Sequence, residues 1–281
     1  MITIDFEYRS WWCPWKRRCR SWAPSHWWEM DQRQFMAVVR SILGKISEEE
    51  YYAELFGIPR RLVQHLDQWH VYVLRKQMRW LDQGKAETSR FFIREICGLL
   101  APEDALGGVT LQQFMTADTF FSQFVDTITD DAPMGSNTAL ARFVASLYMH
   151  RHEAYFVDRM PLRRTLIDLP MRQEKVVDLE GNAGNLAENA PSEVLWAVYL
   201  NWVMIRNWLS RAFPLLFPEA DTDDKGNATQ RRVKNAWLNI FDSFVGDDIA
   251  HLDNYRRLAC TDAFRLMNRR IKEAIKQKTQ R

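Results

Sequence analysis

The sequence predicts a mainly α protein, a multi-helix globular bundle with a short N-terminal β-strand or hairpin. Three observations support this fold class. A long apolar run in the last third of the chain needs other helices to cover it, helix-start signals followed by apolar residues at intervals of three and four recur, and clear period-two alternation occurs in one stretch only. The chain has 281 residues, of which 47% are hydrophobic, so it can bury a large core.

The apolar run occupies residues 194–217 and reads VLWAVYLNWVMIRNWLSRAFPLLF. From residue 194 to residue 205 only Asn201 interrupts it, and that stretch is shorter than the roughly 20 apolar residues that a membrane-spanning helix needs. We therefore predict a core helix over residues 192–213 and no membrane partner. The side chains expected to be buried on this helix include Trp196, Leu200 and Val203.

The N-terminus carries the period-two alternation. Every second residue from position 2 to position 8 is apolar, namely Ile2, Ile4, Phe6 and Tyr8. This is the period of a strand with one apolar face. A lone strand leaves its backbone groups unpaired, so we expect it to pair either with a nearby segment such as residues 19–23 or with another molecule. The sequence leaves both alternatives open.

Residues 9–28 are unusually rich in tryptophan and arginine. They contain six of the 12 tryptophans, at positions 11, 12, 15, 22, 27 and 28. Aromatic and arginine side chains are enriched at interface hot spots and also stack on unpaired bases, which favours a binding surface. The competing interpretation is a cap whose rings fold back on the helical body. The candidate interface residues are Ile4, Phe6, Tyr8, Trp11, Trp12, Trp15, Arg17, Arg18, Arg20 and Trp22.

The first helices have clear start signals. Asp31 with Gln34, and Ser47 with Glu50, each match a capping box, and a glycine follows each predicted helix at position 44 or 57. A longer helix is expected from Pro59 to residue 84. Its apolar stripe would be Leu62, Leu66, Trp69, Val73, Met78 and Leu81.

The rest of the chain is also predicted to be helical, with loops between the helices. We expect a helix through Phe91, Ile93, Ile96 and Leu99, and another that starts at Thr110 or Leu111. Residues 180–191 are rich in glycine and asparagine and predict an exposed loop, and the acidic residues 219–228 predict a second one. Further helices are predicted over residues 138–148, 233–244 and 258–275.

These elements suggest three parts: a tryptophan-rich extension (1–30), a helical region (31–130), and a second helical region (138–281) that packs with it around helix 192–213 in one continuous domain.

Two histidine or cysteine groups were considered as metal sites. Cys13, Cys19 and His26 could supply three zinc ligands, but no CxxC pair or fourth ligand accompanies them, so free thiols are favoured. His150, His152 and Glu153 are close in sequence, but on a helix residues two apart face different sides, so we expect a surface position. No metal ligands are predicted.

Motifs for catalysis are also missing from the sequence. Gly246-Asp247-Asp248 resembles the metal-binding dipeptide of certain polymerases, but helical patterns flank it, and Asp247 or Asp248 is expected to cap the next helix. No GxSxG, Walker loop or GxGxxG motif occurs. We therefore expect a protein that is not an enzyme, with no catalytic residues and no cofactor.

Several stretches resemble a family of small helical proteins encoded among the tail-morphogenesis genes of phages and prophages, similar to tail-assembly chaperones. The first is APSHWWEM at residues 23–30, followed by Gln34-Phe35 and Phe56-Gly57-Ile58. Three later stretches also fit, namely residues 111–121, 140–148 and 245–267. The resemblance covers residues 20–275 in separate pieces, and residues 1–15 depart from it.

The resemblance implies a tail-assembly or structural accessory role through binding to other phage tail or assembly proteins, or in a homo-oligomer. It places the protein in the bacterial host cytoplasm or in the virion. Four cysteines and no basic-apolar leader at the start also favour a reducing cytoplasm.

The alternative function is a nucleic-acid-binding accessory protein of a mobile element, which would use Arg17, Arg18, Arg20 and the nearby indoles. A net charge of +2 gives no whole-molecule field that attracts nucleic acid, so protein partners are the preferred expectation.

Overall fold

A computed structural model describes residues 2–10, 13–64, 66, 68–82, 86–155, 175–217 and 236–279. It confirms the mainly α class with a short N-terminal β-hairpin. The chain divides into two compact units. Unit 1 contains Met1–Ile93 and Pro191–Asn207, and unit 2 contains Arg94–Ala190 and Trp208–Arg281. The three-part organisation with boundaries 1–30, 31–130 and 138–281 stays a prediction, and the acidic residues 219–228 lie outside the described residues.

The strands of the described residues are β1 (Ile2–Ser10), β2 (Cys13–Ala23), β3 (Glu95–Ile96), β4 (Leu99–Leu100), β5 (Glu153–Ala154) and β6 (Lys175–Val176). The α-helices are α1 (Gln32–Ile42), α2 (Glu48–Phe56), α3 (Arg60–Val63), α4 (Gln68–Gln77), α5 (Leu111–Asp126), α6 (Asn137–Leu147), α7 (Leu179–Asn189), α8 (Ser192–Ala212), α9 (Ala236–Val245), α10 (Leu252–Arg257) and α11 (Cys260–Thr279). Short 3-10 turns occupy Trp27–Glu29, Arg79–Leu81, Asp104–Leu106 and Ile249–His251.

Both predicted capping boxes in unit 1 are present. The Asp31 carboxylate accepts the Gln34 backbone N–H while the Gln34 side chain accepts the Asp31 N–H, and Ser47 and Glu50 make the same reciprocal pair. These bonds satisfy N–H groups that the first turn of a helix leaves unpaired. Gly57 then ends α2 in the left-handed conformation, with a φ of 63°.

The long helix expected from Pro59 to residue 84 is wrong. The described residues form two separate helices, α3 and α4, and then the turn Arg79–Leu81. On α4 the buried positions are Leu74 and, just beyond it, Met78, whereas Trp69 is 67% exposed. The prediction from the sequence assigned every large apolar side chain of this stretch to the core. In the structure only the face of α4 with Leu74 is buried.

The helix expected through Phe91, Ile93, Ile96 and Leu99 is also wrong. Residues 91–93 are buried and lie outside any helix, with a bend at Phe92, and β3 and β4 pair through a two-residue turn at Cys97 and Gly98. Both turn residues have positive φ, 49° and 81°, which matches the twist of a tight hairpin and excludes a right-handed helix.

Residues 86–92 lie outside any helix and are bound by side chains of α8. The Asn201 side chain accepts the Phe92 N–H at 2.9 Å and donates to the Arg90 carbonyl at 2.8 Å, which we call the Asn201 clamp. Asn207 donates to the Ala86 carbonyl in the same way, at 2.8 Å. Because Asn201 is 1% exposed, its amide has to be paired inside the protein. A segment outside any helix offers it both a donor and an acceptor, because its backbone groups are not used in a helix.

The expected loop over residues 180–191 is wrong as well, since residues 179–189 form helix α7. The Asp178 carboxylate accepts the Gly181 N–H at 3.0 Å and so caps the start of α7. Asn182, Ala183 and Leu186 are buried at spacings that define one face, which packs against α6. Tertiary packing of this face outweighs the low helix propensity of the glycines.

The core of unit 2 contains a cluster of aromatic rings from α5, the end of α8, α9 and α11. Phe264 lies at its centre, with ring centroids 4.8 Å from Phe114, 5.2 Å from Phe217 and 5.6 Å from Phe213. Most of these pairs are edge-to-face, the geometry that aromatic quadrupoles favour. Trp237 joins the cluster and donates its indole N–H to the buried Asp118 carboxylate at 2.7 Å.

The core helix predicted from the apolar run is present as α8, but its buried face differs from the expected one. Trp196, Leu200 and Val203 are half-buried, whereas Leu195, Val198 and Trp202 are at most 1% exposed. A uniformly apolar helix gives little information about which side faces the core. Burial was therefore predictable for the helix and not for its individual residues.

Replacement of Trp202 by alanine should lower the free energy of unfolding by about 3–5 kcal/mol, because it leaves a cavity where a fully buried ring had been. Trp196→Ala on the same helix should cost clearly less, since that ring is half-buried. Urea unfolding followed by circular dichroism measures both values. Equal costs for the two variants would contradict this burial pattern.

Candidate interface on the N-terminal hairpin

Residues 2–10 and 13–23 pair as an antiparallel hairpin. β1 pairs with β2 in a register that runs from Ile2 opposite Ala23 to Arg9 opposite Lys16, and the register shifts between Arg9 and Ser10. The predicted strand therefore pairs within the chain, with a partner segment that includes residues 19–23. This settles the alternative that the sequence left open.

Buried residues attach the end of β2 to the helices of unit 1. Ser21 and Ala23 are buried, and the Ser21 hydroxyl donates to the carbonyl of Phe56, the last residue of α2. Gly57 follows directly, and a Cβ there would lie 3.7 Å from the Ser21 oxygen. The base of the hairpin thus lies against the end of α2.

Every second residue of β2 from position 18 to position 22 lies on the solvent side of the strand. Arg18, Arg20 and Trp22 are exposed, as is Asp5, the register partner of Arg20 on β1. Trp22 is 54% exposed, and the Arg20 guanidinium lies 5.6 Å from the centre of its ring. We call Asp5, Arg18, Arg20 and Trp22 the hairpin face. It combines cationic groups with an accessible indole that the fold of unit 1 does not cover.

The tryptophans that follow the hairpin point in different directions. Trp27 is half-buried, and its ring makes an edge-to-face contact with Trp80 at a centroid distance of 5.5 Å. This position matches the interpretation in which the rings fold back on the helical body. Trp28 is 52% exposed and stacks on the imidazole of His26 at 4.3 Å. The stretch therefore contains both kinds of tryptophan that the sequence analysis considered.

The ten candidate interface residues are placed to different extents. Arg18, Arg20 and Trp22 belong to the hairpin face, and the backbone positions of five others lie in β1 or β2, namely Ile4, Phe6, Tyr8, Trp15 and Arg17. Trp11 and Trp12 lie outside the described residues. A binding role for these ten residues stays a prediction.

The described cysteines differ in exposure. Cys19 is half-buried, and the pKa of its thiol is raised by burial and by the charge of Asp5. Burial raises the pKa of Cys260 to about 12, and Cys97 is exposed. Thiols with raised pKa values are poor nucleophiles and poor metal ligands near neutral pH. Among the described residues, no three His, Cys, Asp or Glu side chains are grouped as metal ligands would be.

The helical interpretation of His150, His152 and Glu153 is wrong. α6 ends at Leu147, and these residues form a turn that leads into β5. The two imidazole rings stack with centroids 5.5 Å apart, which residues two apart on a helix would not do. The Glu153 carboxylate accepts the His150 N–H at 2.9 Å and the Asn182 side-chain N–H at 3.0 Å. Its contacts are therefore those of a turn-stabilising group.

Asp248 occupies the cap position of the 3-10 turn Ile249–His251, although its side chain does not bond to the backbone of that turn. Its carboxylate instead lies 2.7 Å from the His251 ring nitrogen and 3.0 Å from the Tyr255 hydroxyl. These hydrogen bonds lower the pKa of Asp248, and the bond to His251 has the larger effect. The contacts hold the turn against α10 and describe a structural role.

A second exposed surface in unit 1 was missed from the sequence. On α4, Trp69 is 67% and Tyr72 is 49% exposed, and their rings stack with centroids 5.8 Å apart. Tyr72 also lines a cavity of about 390 Å³ together with Arg75 and Lys76. Arg75 and Lys76 lie between the buried Leu74 and Met78, as in any amphipathic helix, so these cations do not signal the exposure of Trp69 and Tyr72.

Comparisons with protein-family models, with curated proteins and with solved structures returned no match to this chain. Among the described residues, the helices lack the combination of length and apolar character that is needed to cross a bilayer.

Substitutions on the hairpin face should leave the protein folded. Arg20→Ala and Trp22→Ala should each change the free energy of unfolding by less than about 1 kcal/mol, because both side chains are exposed and their contact with each other lies at the surface. Ser21→Ala, between them in sequence, should cost about 1–3 kcal/mol, since it leaves the buried Phe56 carbonyl without its donor. Thermal or urea unfolding distinguishes these variants, and a larger loss for Trp22→Ala than for Ser21→Ala would contradict the assignment of the two faces.

Proposed function

We propose that this chain is a non-enzymatic accessory protein of a phage or prophage tail, which acts during tail assembly or within the tail by binding other proteins. Its partners are other phage tail or assembly proteins. The chain also binds a second copy of itself in a homo-oligomer. The proposal places it in the bacterial host cytoplasm and, where it remains in the assembled particle, in the virion.

The observation that carries the proposal is the hairpin face. Interfaces between proteins are distinguished by exposed aromatic and arginine anchors more than by overall hydrophobicity. Arg20 and Trp22 form such a pair, on a strand that is fixed to unit 1 through Ser21. A surface held in place before binding loses less conformational entropy when the complex forms.

The sheet itself offers a second mode of contact. Among the residues that the structure describes, β1 and β2 form a two-stranded sheet, so each strand has one edge that no other described strand occupies. An edge of nine or eleven residues can accept a strand from a partner or from a second copy. The resemblance of residues 23–30 and of the later helical stretches to tail-morphogenesis proteins supports partners of that class.

The nucleic-acid alternative uses the same pair of residues. An arginine beside an exposed indole can contact phosphate and stack on an unpaired base, and such binding falls steeply with salt. Fluorescence anisotropy with labelled single-stranded DNA at low and high salt distinguishes the two functions. If the protein-binding function is correct, substitution of Arg20 and Trp22 should not weaken whatever DNA binding is measured.

A pull-down against the products of the neighbouring tail genes, including the tail-tube and tape-measure proteins, tests the proposal directly. We expect capture of at least one of them, weakened about tenfold or more in an Arg20→Glu, Trp22→Ala double variant, because hot-spot residues dominate binding energy. Trp28→Ala is the matched control, since that ring is equally exposed and lies outside the hairpin face.

Two results would contradict the proposal. One is a folded, monodisperse protein that captures none of these gene products. The other is capture that the double variant and the Trp28 control weaken to the same extent, because binding would then not depend on the hairpin face.

A further inference from the structure

Unit 2 contains an open groove of about 750 Å³ beside α11. Its apolar side includes Trp208 and Phe213, and its polar side is formed by residues of α11, namely Arg265, Asn268, Arg269 and Lys272. A volume of this size is typical of sites that hold a small ligand or a few residues of a peptide. We call these six residues the α11 groove.

The four α11 residues lie on one side of the helix because of their spacing. Arg265, Asn268, Arg269 and Lys272 stand at i, i+3, i+4 and i+7, the positions that share a helix face. The face next to it is the buried one, with Ala263, Phe264 and Met267 in the core. The rise of an α-helix separates Arg265 from Arg269 by about 6 Å and Arg269 from Lys272 by about 4.5 Å along the axis.

The groove carries an excess of positive charge. Arg265 contacts Asp262 at 2.8 Å and Arg269 contacts Glu273 at 3.9 Å, but all four side chains of these pairs are at least 60% exposed. Exposed ion pairs of this kind contribute little and exchange readily for another carboxylate. Asp104, the acidic group that lines the groove, is already hydrogen-bonded to Arg94 at 2.9 Å and 3.0 Å.

Asn268 adds a specific hydrogen-bonding group. Its side-chain oxygen is buried and accepts no hydrogen bond from the described residues. Water does not reach this oxygen, so a ligand N–H meets it only when the Asn268 amide turns into the groove, and the unpaired acceptor then gains a donor. The Asn201 clamp of unit 1 shows how this chain uses such an amide, since Asn201 on α8 binds a backbone N–H and a backbone carbonyl of a non-helical segment.

We propose that the α11 groove binds an extended, acidic segment of a partner protein. Alternate side chains of an extended chain are about 6.6 Å apart on one face, close to the spacing of the cations on α11. Carboxylates on that face pair with Arg265, Arg269 and Lys272, a backbone N–H donates to Asn268, and the intervening apolar side chains rest on Trp208 and Phe213. The inference rests on the proposed function only in that the partner is a protein.

A fluorescein-labelled peptide of alternating aspartate and leucine, five residues long, is a suitable probe for the full-length protein. Its anisotropy should rise with protein concentration at low salt. An Arg269→Gln, Lys272→Gln double variant should weaken binding about tenfold or more and reduce its salt dependence. Asn268→Leu should weaken binding about fivefold without changing the salt dependence, since it removes one hydrogen bond and no charge.

Two controls isolate the groove. Lys278→Gln removes an exposed α11 cation that does not line it, and should change affinity less than about twofold. A peptide with asparagine in place of aspartate keeps the shape and loses the charge, and should not bind measurably. Circular dichroism establishes that each variant is folded.

Three outcomes would overturn the inference. The first is the absence of peptide binding at low salt, or equal binding by all variants. The second is tighter binding of single-stranded DNA that is lost in the same variants, which would make the groove a nucleic-acid site. The third is self-association that the double variant abolishes, which would assign the groove to a second copy. Because the peptide assay needs no tail protein, it can fail while capture through the hairpin face succeeds.

Discussion

The structure of unit 1 depends on one buried amide. Asn201 interrupts an otherwise apolar stretch of α8 and is 1% exposed, so both of its polar groups have to be paired within the protein. It meets this requirement by binding the Phe92 N–H and the Arg90 carbonyl. The backbone of residues 86–92 is thereby held against α8, and Phe92 stacks on Phe35 of α1 at 4.3 Å.

The same arrangement connects the core to the candidate interface. The Arg90 side chain donates to the carbonyl of Trp28, directly after the hairpin, while α1 is tied to α8 by Arg40, whose guanidinium lies 2.9 Å from Glu193. The hairpin is attached through Ser21 to the end of α2. Its exposed cations and indole therefore stand on a base that is fixed by hydrogen bonds, which is the condition for a surface that recognises a partner without rearrangement.

Sequence reasoning succeeded where the signal is local. The capping boxes at Asp31 and Ser47, and the alternation in β1, each depend on residues within a few positions of one another. It failed where a distant partner decides the conformation, as for residues 91–99, whose non-helical start is bound by Asn201 more than a hundred residues later. The hairpin face could be anticipated from its composition. The α11 groove could not, because it needs the spatial meeting of Trp208 with Asn268.

Native-state hydrogen exchange of the Phe92 amide measures most directly how far the backbone of residues 86–92 depends on the Asn201 clamp. Asn201→Leu introduces an apolar side chain of similar size and removes the acceptor of that N–H, so exchange at Phe92 should accelerate by about tenfold or more. Asn207→Leu is the control, since it removes the donor to the Ala86 carbonyl and leaves the acceptor of the Phe92 N–H in place, so Phe92 should stay protected. Unchanged protection of Phe92 in the Asn201 variant would contradict the account.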